Sequence, residues 1–200
     1  MRQIEIIECD RYYHIYNRGI NGENIFYSNE NYLYFLKLYD KYINSIADTF
    51  AWCLLKNHFH LLVKIKTEKE IFESSNQNIE KINKKPSQQF SHFFNAYAQA
   101  INKQYGRHGS LFEKPFRRKK IENEDFLKNL VLYIHNNPVH HEFTKYVEKY
   151  TWSSFQSIIS SKKTKLQRSE VLKWFDGSKN FIETHQQKVN IISIEKWLKI

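Results

Sequence analysis

Two imidazoles stand two residues apart in the stretch Asn57-His58-Phe59-His60-Leu61-Leu62-Val63-Lys64-Ile65. In a β-strand such a spacing puts both on one face, where they can converge on a single divalent cation. Lys64 and Lys66 share that face and suit a phosphate chain. A metal ion and a polyanion meeting on one sheet face is the chemistry this spacing offers. Spacing alone carries little, since a zinc site takes three or four protein ligands and no neighbouring Cys or His completes such a set. Tyr133 and Asn137 lie four apart, on one side of a helix at the border of its buried stripe. A tyrosine there is ordinarily a half-buried packing residue. The run Arg117-Arg118-Lys119-Lys120 fits a solvated edge strand. Beside the histidine strand it is better read as a set of phosphate contacts.

The elements that position these residues follow from periodicity. Phe59, Leu61, Val63 and Ile65 alternate inward, leaving His58, His60, Lys64 and Lys66 outward with Leu62 among them. Residues 11–18 form a first strand with Tyr12, His14 and Tyr16 on one face and Tyr13 and Ile15 on the other. Gly19 and Asn21-Gly22 end it in a turn. A helix is predicted over 31–46, a second strand over 49–55, and a tight passage at Lys56-Asn57. Residues 67–85 are polar with little periodicity and read as a loop or insertion. Pro86 opens an amphipathic helix carrying Phe90, Phe93, Phe94, Tyr97, Ala98 and Ile101, which Gly106 ends. A basic fourth strand over 116–121 leads to Asn123 as N-cap and a helix from Phe126 that Pro138 should stop at Asn137. Beyond Thr144 come shorter helical pieces around Val171–Phe175, Phe181–Glu183 and Ile194–Leu198. The order β-α-β-β-α-β-α is a ferredoxin-like pattern. It predicts an α+β fold, an antiparallel sheet with helices on one face, over residues 1–143. A partly helical C-terminal extension follows over 144–200.

The chain has 200 residues with 31 Lys and Arg against 21 Asp and Glu, a formal charge of +10. That favours nucleic acid over an anionic membrane surface as partner. With 41% hydrophobic and 16% aromatic residues it can bury a core. Cys9 and Cys53 are isolated and make no disulfide framework. The first residues lack the apolar core of a secretion signal, and no run approaches the ~20 apolar residues that span a bilayer. A reducing cytosol is the expected setting.

Five motifs occur in order: Tyr13-His14-Ile15-Tyr16-Asn17-Arg18-Gly19, Asn57-His58-Phe59-His60-Leu61-Leu62, Arg107-His108-Gly109-Ser110-Leu111-Phe112, Tyr133-Ile134-His135-Asn136-Asn137-Pro138-Val139 and Trp152-Ser153-Ser154. Together they resemble the single-tyrosine HUH transposases, in the branch of the REP-associated tyrosine transposases, over roughly residues 11–156. The resemblance implies cleavage and rejoining of single-stranded DNA, with hairpin or REP-like sequences as targets. His58 and His60 match the histidines of the HUH motif and would hold Mg²⁺ or Mn²⁺ to polarise the scissile phosphate. Asn137 matches the polar residue that completes the metal site. Tyr133 matches the nucleophile, which would form a 5′-phosphotyrosine and release a 3′-hydroxyl. Tyr12, His14, Tyr16, Arg18, Lys64, Arg107, Arg117, Arg118, Lys119 and Lys120 are expected to contact DNA. The protein would act in the cytosol at the nucleoid as a monomer or homodimer, with no membrane partner. Leu55-Lys56 stands where the family often has Met-Pro, and Ser110 where many members have His. Two other classes remain open: a non-catalytic nucleic-acid-binding module on a ferredoxin-like sheet, and a metal-dependent hydrolase, for which acidic ligands are lacking.

Overall fold

The chain, described from a computed structural model over residues 5–74, 85–187 and 191–198, is organised around one central strand. β1 (Tyr12–Arg18) pairs antiparallel with β3 (His58–Ile65) on one side and with β4 (Arg117–Ile121) on the other. β2 (Ala47–Leu54) pairs antiparallel with β3, giving the order β2-β3-β1-β4. This is the ferredoxin-like arrangement that the element order predicts. The helices are α1 (Asn29–Tyr42), α2 (Glu68–Ser74), α3 (Pro86–Tyr105), α4 (Phe126–His140), α5 (Phe155–Ile159), α6 (Arg168–Trp174), α7 (Ser178–Gln186) and α8 (Ile191–Leu198).

Strand alternation sorts the side chains into two cores. Tyr13, Ile15, Phe59, Leu61, Val63 and Ile65 pack with Phe35 and Leu38 of α1 and with Phe90, Phe93, Tyr97 and Ile101 of α3. These two helices cover one face, as expected. The other face has a helical layer of its own, which a sheet with helices on one face does not include. Tyr12, Phe50, Ala51, Cys53, Leu62 and Ile121 lie under Leu127, Leu130, Val131 and Ile134 of α4, joined by Phe155, Val171, Phe175 and Phe181 of the extension. The cause lies in β2, where Thr49 faces Val63 and Ala51 faces Leu62, leaving Phe50 as an extra residue. The bulge turns both Phe50 and Ala51 to the second face, which is then too apolar to stand in water.

α3 keeps its expected ends, with Pro86 in the first turn and Gly106 at φ 61° as the left-handed cap. Gly19 is fixed by close approach, because an added Cβ would lie 2.0 Å from the Glu23 carbonyl oxygen. α1 spans Asn29–Tyr42 instead of 31–46, because Ser28 and Asn31 form a capping box that starts it early. Glu68–Ser74 is helical where a loop is expected; the Glu70 carboxylate accepts from the Thr67 amide (2.8 Å) and hydroxyl (2.7 Å). The rest of that expected loop, 75–84, lies outside the described residues. α4 runs through Pro138 to His140. A proline in the last turn removes one backbone donor, and the helix still closes through the His141 amide on the Asn137 carbonyl (3.0 Å).

Candidate active site

The second sheet face brings the two histidines and the tyrosine together. His58 and His60 project from β3, and their ring centroids are 5.3 Å apart and nearly perpendicular. On β1, Tyr16 stands opposite His60 and Arg18 opposite His58. α4 crosses this face, anchored by Leu127, Leu130, Val131 and Ile134 in the core beneath it. That anchoring fixes Tyr133, whose ring meets His60 edge-on at 5.4 Å and His14 at 6.0 Å. Tyr133 is 2% exposed, so it is fully covered and not half-buried at the stripe's border. Asn137, one turn on, is also buried.

Burial governs the titration of the cluster. Removal from water pushes the Tyr133 phenol well up, and Glu195 of α8 adds to this. Desolvation lowers His58 to about 4, helped by the neighbouring His141, and drives His60 well below its ordinary value, helped by His14. Both imidazoles are therefore neutral at pH 7 and keep the lone pair that a metal requires. The Asn137 amide opposes burial at His58 and at Tyr133. Among the described residues the Asn137 Oδ1 is buried with no hydrogen-bond partner, and its Nδ2 donates to the Tyr133 carbonyl (2.8 Å).

The unused atoms decide whether a divalent ion fits. His58 Nδ1 engages Asn57 Oδ1 at 2.7 Å, and His60 Nδ1 engages His14 Nε2 at 3.0 Å. The protein partners of both rings are thus on the Nδ1 side, which leaves Nε2 as the nitrogen that a metal would take. A buried carbonyl oxygen without a donor, Asn137 Oδ1, is the third group. Two imidazoles and one amide oxygen suit Mn²⁺ or Mg²⁺ provided that phosphate oxygens or water complete the shell. Among the described residues no three His, Cys, Asp or Glu side chains converge, so a closed structural zinc site is not built here.

The residues expected to contact DNA divide. Tyr16 is half-buried and Arg18 exposed beside the histidines, with Arg18 bound to Glu113 at 2.9 Å. Arg117 and Lys119 share this face, since they pair with Tyr16 and His14; Arg117 also binds Glu113 (2.8 Å) and Lys119 lies over the Trp197 ring at 5.4 Å. Arg118 and Lys120 pair with Ile15 and Tyr13, so they face the α3 side, where Lys120 binds Glu8. Tyr12 is not a stacking surface: it is buried between Phe50 and Trp174, and its hydroxyl donates to Glu170 Oε1 at 3.2 Å. His14 is completely buried and meets His60, not solvent. Lys64 binds Asp10 at 2.8 Å. Arg107 binds Glu23 (2.6 Å) and the Tyr27 hydroxyl (2.8 Å), far along the chain from the cluster.

Sequence reasoning missed His141, whose ring lies 4.8 Å from that of His58. Its signal is present, because Tyr133, Asn137 and His141 fall at i, i+4 and i+8 on one helical face. A helix ending at Pro138 hides it. Glu195, which lies 3.7 Å from His140 Nε2 and acts on Tyr133 through its charge, has no sequence signal at all.

No protein-family model and no curated protein matches the chain. A solved structure of a REP-associated tyrosine transposase bound to a REP hairpin is similar in fold, with a TM-score of 0.58 at 15% identity. The similarity covers 80% of this chain and 86% of that one. At such an identity the likeness establishes a shared α+β fold around a four-stranded antiparallel sheet. Among the described residues no helix is long and apolar enough to cross a membrane.

Proposed function

We propose that this chain is a single-tyrosine HUH transposase that cleaves and rejoins single-stranded DNA, with a hairpin-forming strand as substrate. The observation that carries the reading is the Tyr133 phenol lying edge-on to His60, with Asn137 Oδ1 unpartnered beside it. The shared fold with a transposase bound to a hairpin supports the substrate class. In the reaction the Tyr133 oxygen attacks phosphorus, the bond to the 3′-oxygen breaks, and the phenolic proton is lost as the leaving oxygen takes one up. The product is a 5′-phosphotyrosine and a free 3′-hydroxyl. Because phenolate leaves readily, the same intermediate is resealed when a 3′-hydroxyl attacks it, with no loss of the bond's energy to water. Burial makes Tyr133 a neutral, sluggish nucleophile. A Mg²⁺ or Mn²⁺ ion held by His58, His60 and Asn137 would supply Lewis-acid polarisation of the scissile phosphate and offset the charge on the attacking oxygen. Arg18 and Arg117 hold the phosphate chain beside the histidines. With the phenol covered, a phosphodiester reaches it only after the ring or the side chains over it shift.

The test is to incubate the full chain with labelled single-stranded hairpin DNA in Mn²⁺, in Mg²⁺ and in chelator. A denaturant-resistant adduct that forms only with metal, maps to Tyr133 on digestion and is missing in Tyr133→Phe is the expected result. The Phe variant keeps the ring and should unfold within about 1 kcal/mol of wild type. Cleavage without an adduct, equally fast in the Phe variant, means that water attacks and the transposase reading is wrong.

A further inference from the structure

Helix α3 turns Ser91, Asn95, Gln99 and Asn102 away from the core toward the loop at 109–118, and a cleft of about 620 Å³ lies between them. It is on the opposite sheet face from Tyr133, since it is also lined by Asn17 of β1 and Arg118 of β4, which point toward the α3 side. Phe94 and Phe116 give it an apolar wall. The volume falls within the range of small-molecule sites.

Among the described residues, two of those lining this cleft carry a polar atom without a partner. Asn102 Oδ1 is buried without a donor, although its Nδ2 is fixed on the Gly109 carbonyl at 2.9 Å. Arg118 Nε is likewise buried and unpaired; its guanidinium lies 4.5 Å over the Phe116 ring and makes no salt bridge among the described residues. The carboxylate lining the cleft, Glu113, is already held by Arg18 and Arg117. Glu5, whose carboxylate accepts from the Lys120 amide, acts on Arg118 only from beyond ion-pair distance, and a half-buried guanidinium with no ion pair is unfavourable until an anion arrives. Asn and Gln amides present a donor beside an acceptor, the pattern that matches the edge of a base. An apolar wall, an amide rim and an unmatched cation together describe a nucleotide.

We propose that this cleft holds one unpaired nucleotide of the DNA strand, its base edge read by Gln99 and Asn102 and its phosphate held by Arg118. The proposal rests on the DNA-cleaving reading above. The path to the site is short in connectivity: Arg18 stands opposite His58, and Glu113, which binds Arg18, lines the cleft. A strand lying on the histidine face can thus turn over the ends of β1 and β4 and drop one base on the far side.

The experiment is an abasic scan. Each unpaired position of a hairpin substrate is replaced in turn by an abasic unit, and the affinity is measured for wild type, Gln99→Ala, Asn102→Ala and Arg118→Gln. Wild type should lose about tenfold at one position, the scale of a good amide–base pair. In Gln99→Ala the same abasic unit should cost clearly less than in wild type, because the Gln99 share of the contact is already gone. Gln99 is exposed, so this variant does not depend on the core for folding. A flat wild-type profile, or an identical penalty in all three variants, overturns the proposal. The Tyr133 adduct on intact DNA is followed in parallel. Its absence together with absent binding condemns the DNA-cleaving reading, whereas its presence with an unaltered abasic profile condemns the cleft alone.

Discussion

The second sheet face holds two buried histidine pairs that differ in how their nitrogens are used. His135 and His185 form a closed chain. His185 Nδ1 lies 2.7 Å from the Phe181 carbonyl, which only accepts, so that nitrogen carries the proton. His185 Nε2 must then accept from His135 Nδ1 at 2.9 Å, and His135 Nε2 accepts from the Ser154 hydroxyl at 2.7 Å. Ser154 Oγ in turn accepts from the Trp52 amide at 2.9 Å. Every proton is assigned and every nitrogen is used. His14 and His60, 3.0 Å apart, have no carbonyl to fix the direction, and His14 Nδ1 is buried with no partner. Completed pairing is what a tie between β2, α4 and α7 requires. Unused valence beside a covered tyrosine is what a site for chemistry requires.

The largest expected difference between the pairs is catalytic. His60→Ala should reduce Tyr133 adduct formation to background, yet leave single-strand affinity within about twofold, because affinity resides in the cations. His185→Ala should weaken the fold but leave adduct formation per folded molecule unchanged. The reverse pattern, measured by denaturing gel beside urea unfolding, would dissolve the distinction.

Next comes stability. Ser154→Ala strands His135 Nε2 without its donor and the Trp52 amide without its acceptor, inside a buried chain. Leaving such groups unsatisfied costs about 1–3 kcal/mol. Urea unfolding at pH 7 should show that loss, and a change under about 0.5 kcal/mol would mean that water or repacking completes the chain.

Neither pair was legible as a pair in the sequence; what was legible is the placing of His58 and His60 beside Tyr133 and Asn137, and for a physical reason. His58 and His60 sit in a strand whose alternation declares its faces, and Tyr133 and Asn137 sit one helical turn apart. Local periodicity suffices to orient such residues. His185 lies 50 positions from His135, and no local pattern reports a bond across that separation. The same limit explains Tyr12, which reads as a DNA contact because its partner Glu170 comes from the extension. It explains His14, whose burial under Tyr133 depends on where α4 crosses. The second helical layer was hidden by the β-bulge at Phe50, and His141 by a proline that the helix tolerates near its end.

Acid should separate the pairs more gently. His185 is lowered by burial to about 4, against an ordinary value of 6.5. Between those limits the unfolded chain takes up protons that the native chain refuses. Stability should therefore be level above pH 6.5 and fall as pH drops toward 4, by up to about 1.4 kcal/mol per pH unit for each such imidazole. Mn²⁺ should stabilise through His58, His60 and Asn137 and not through His135 and His185. Since His58 is also lowered to about 4, that benefit should persist to about pH 5 instead of fading at 6.5. Unfolding midpoints with and without Mn²⁺ from pH 7 to 5 test both statements. A Mn²⁺ effect that vanishes by pH 6 would mean that the two ligands are not held neutral by burial.

The smallest expected effect concerns the edge strand that borders the His14 pair. Lys119 pairs with His14 across the sheet and so stands on the face of the cluster, whereas Lys120 pairs with Tyr13 on the α3 side and is bound to Glu8. If phosphates run along the histidine face, each cation that touches one contributes about 0.7 to the slope of log affinity against log salt. Lys119→Ala should lower the single-strand slope by that amount, and Arg117→Ala by somewhat less, since Arg117 already shares Glu113 with Arg18. Lys120→Ala should leave the slope unchanged, because removing it frees Glu8 without removing a phosphate contact. Titrations between 50 and 300 mM salt, chosen to span the Debye lengths over which such contacts are screened, provide the measurement. Equal slopes for Lys119→Ala and Lys120→Ala would place the strand across the edge without preference for either face.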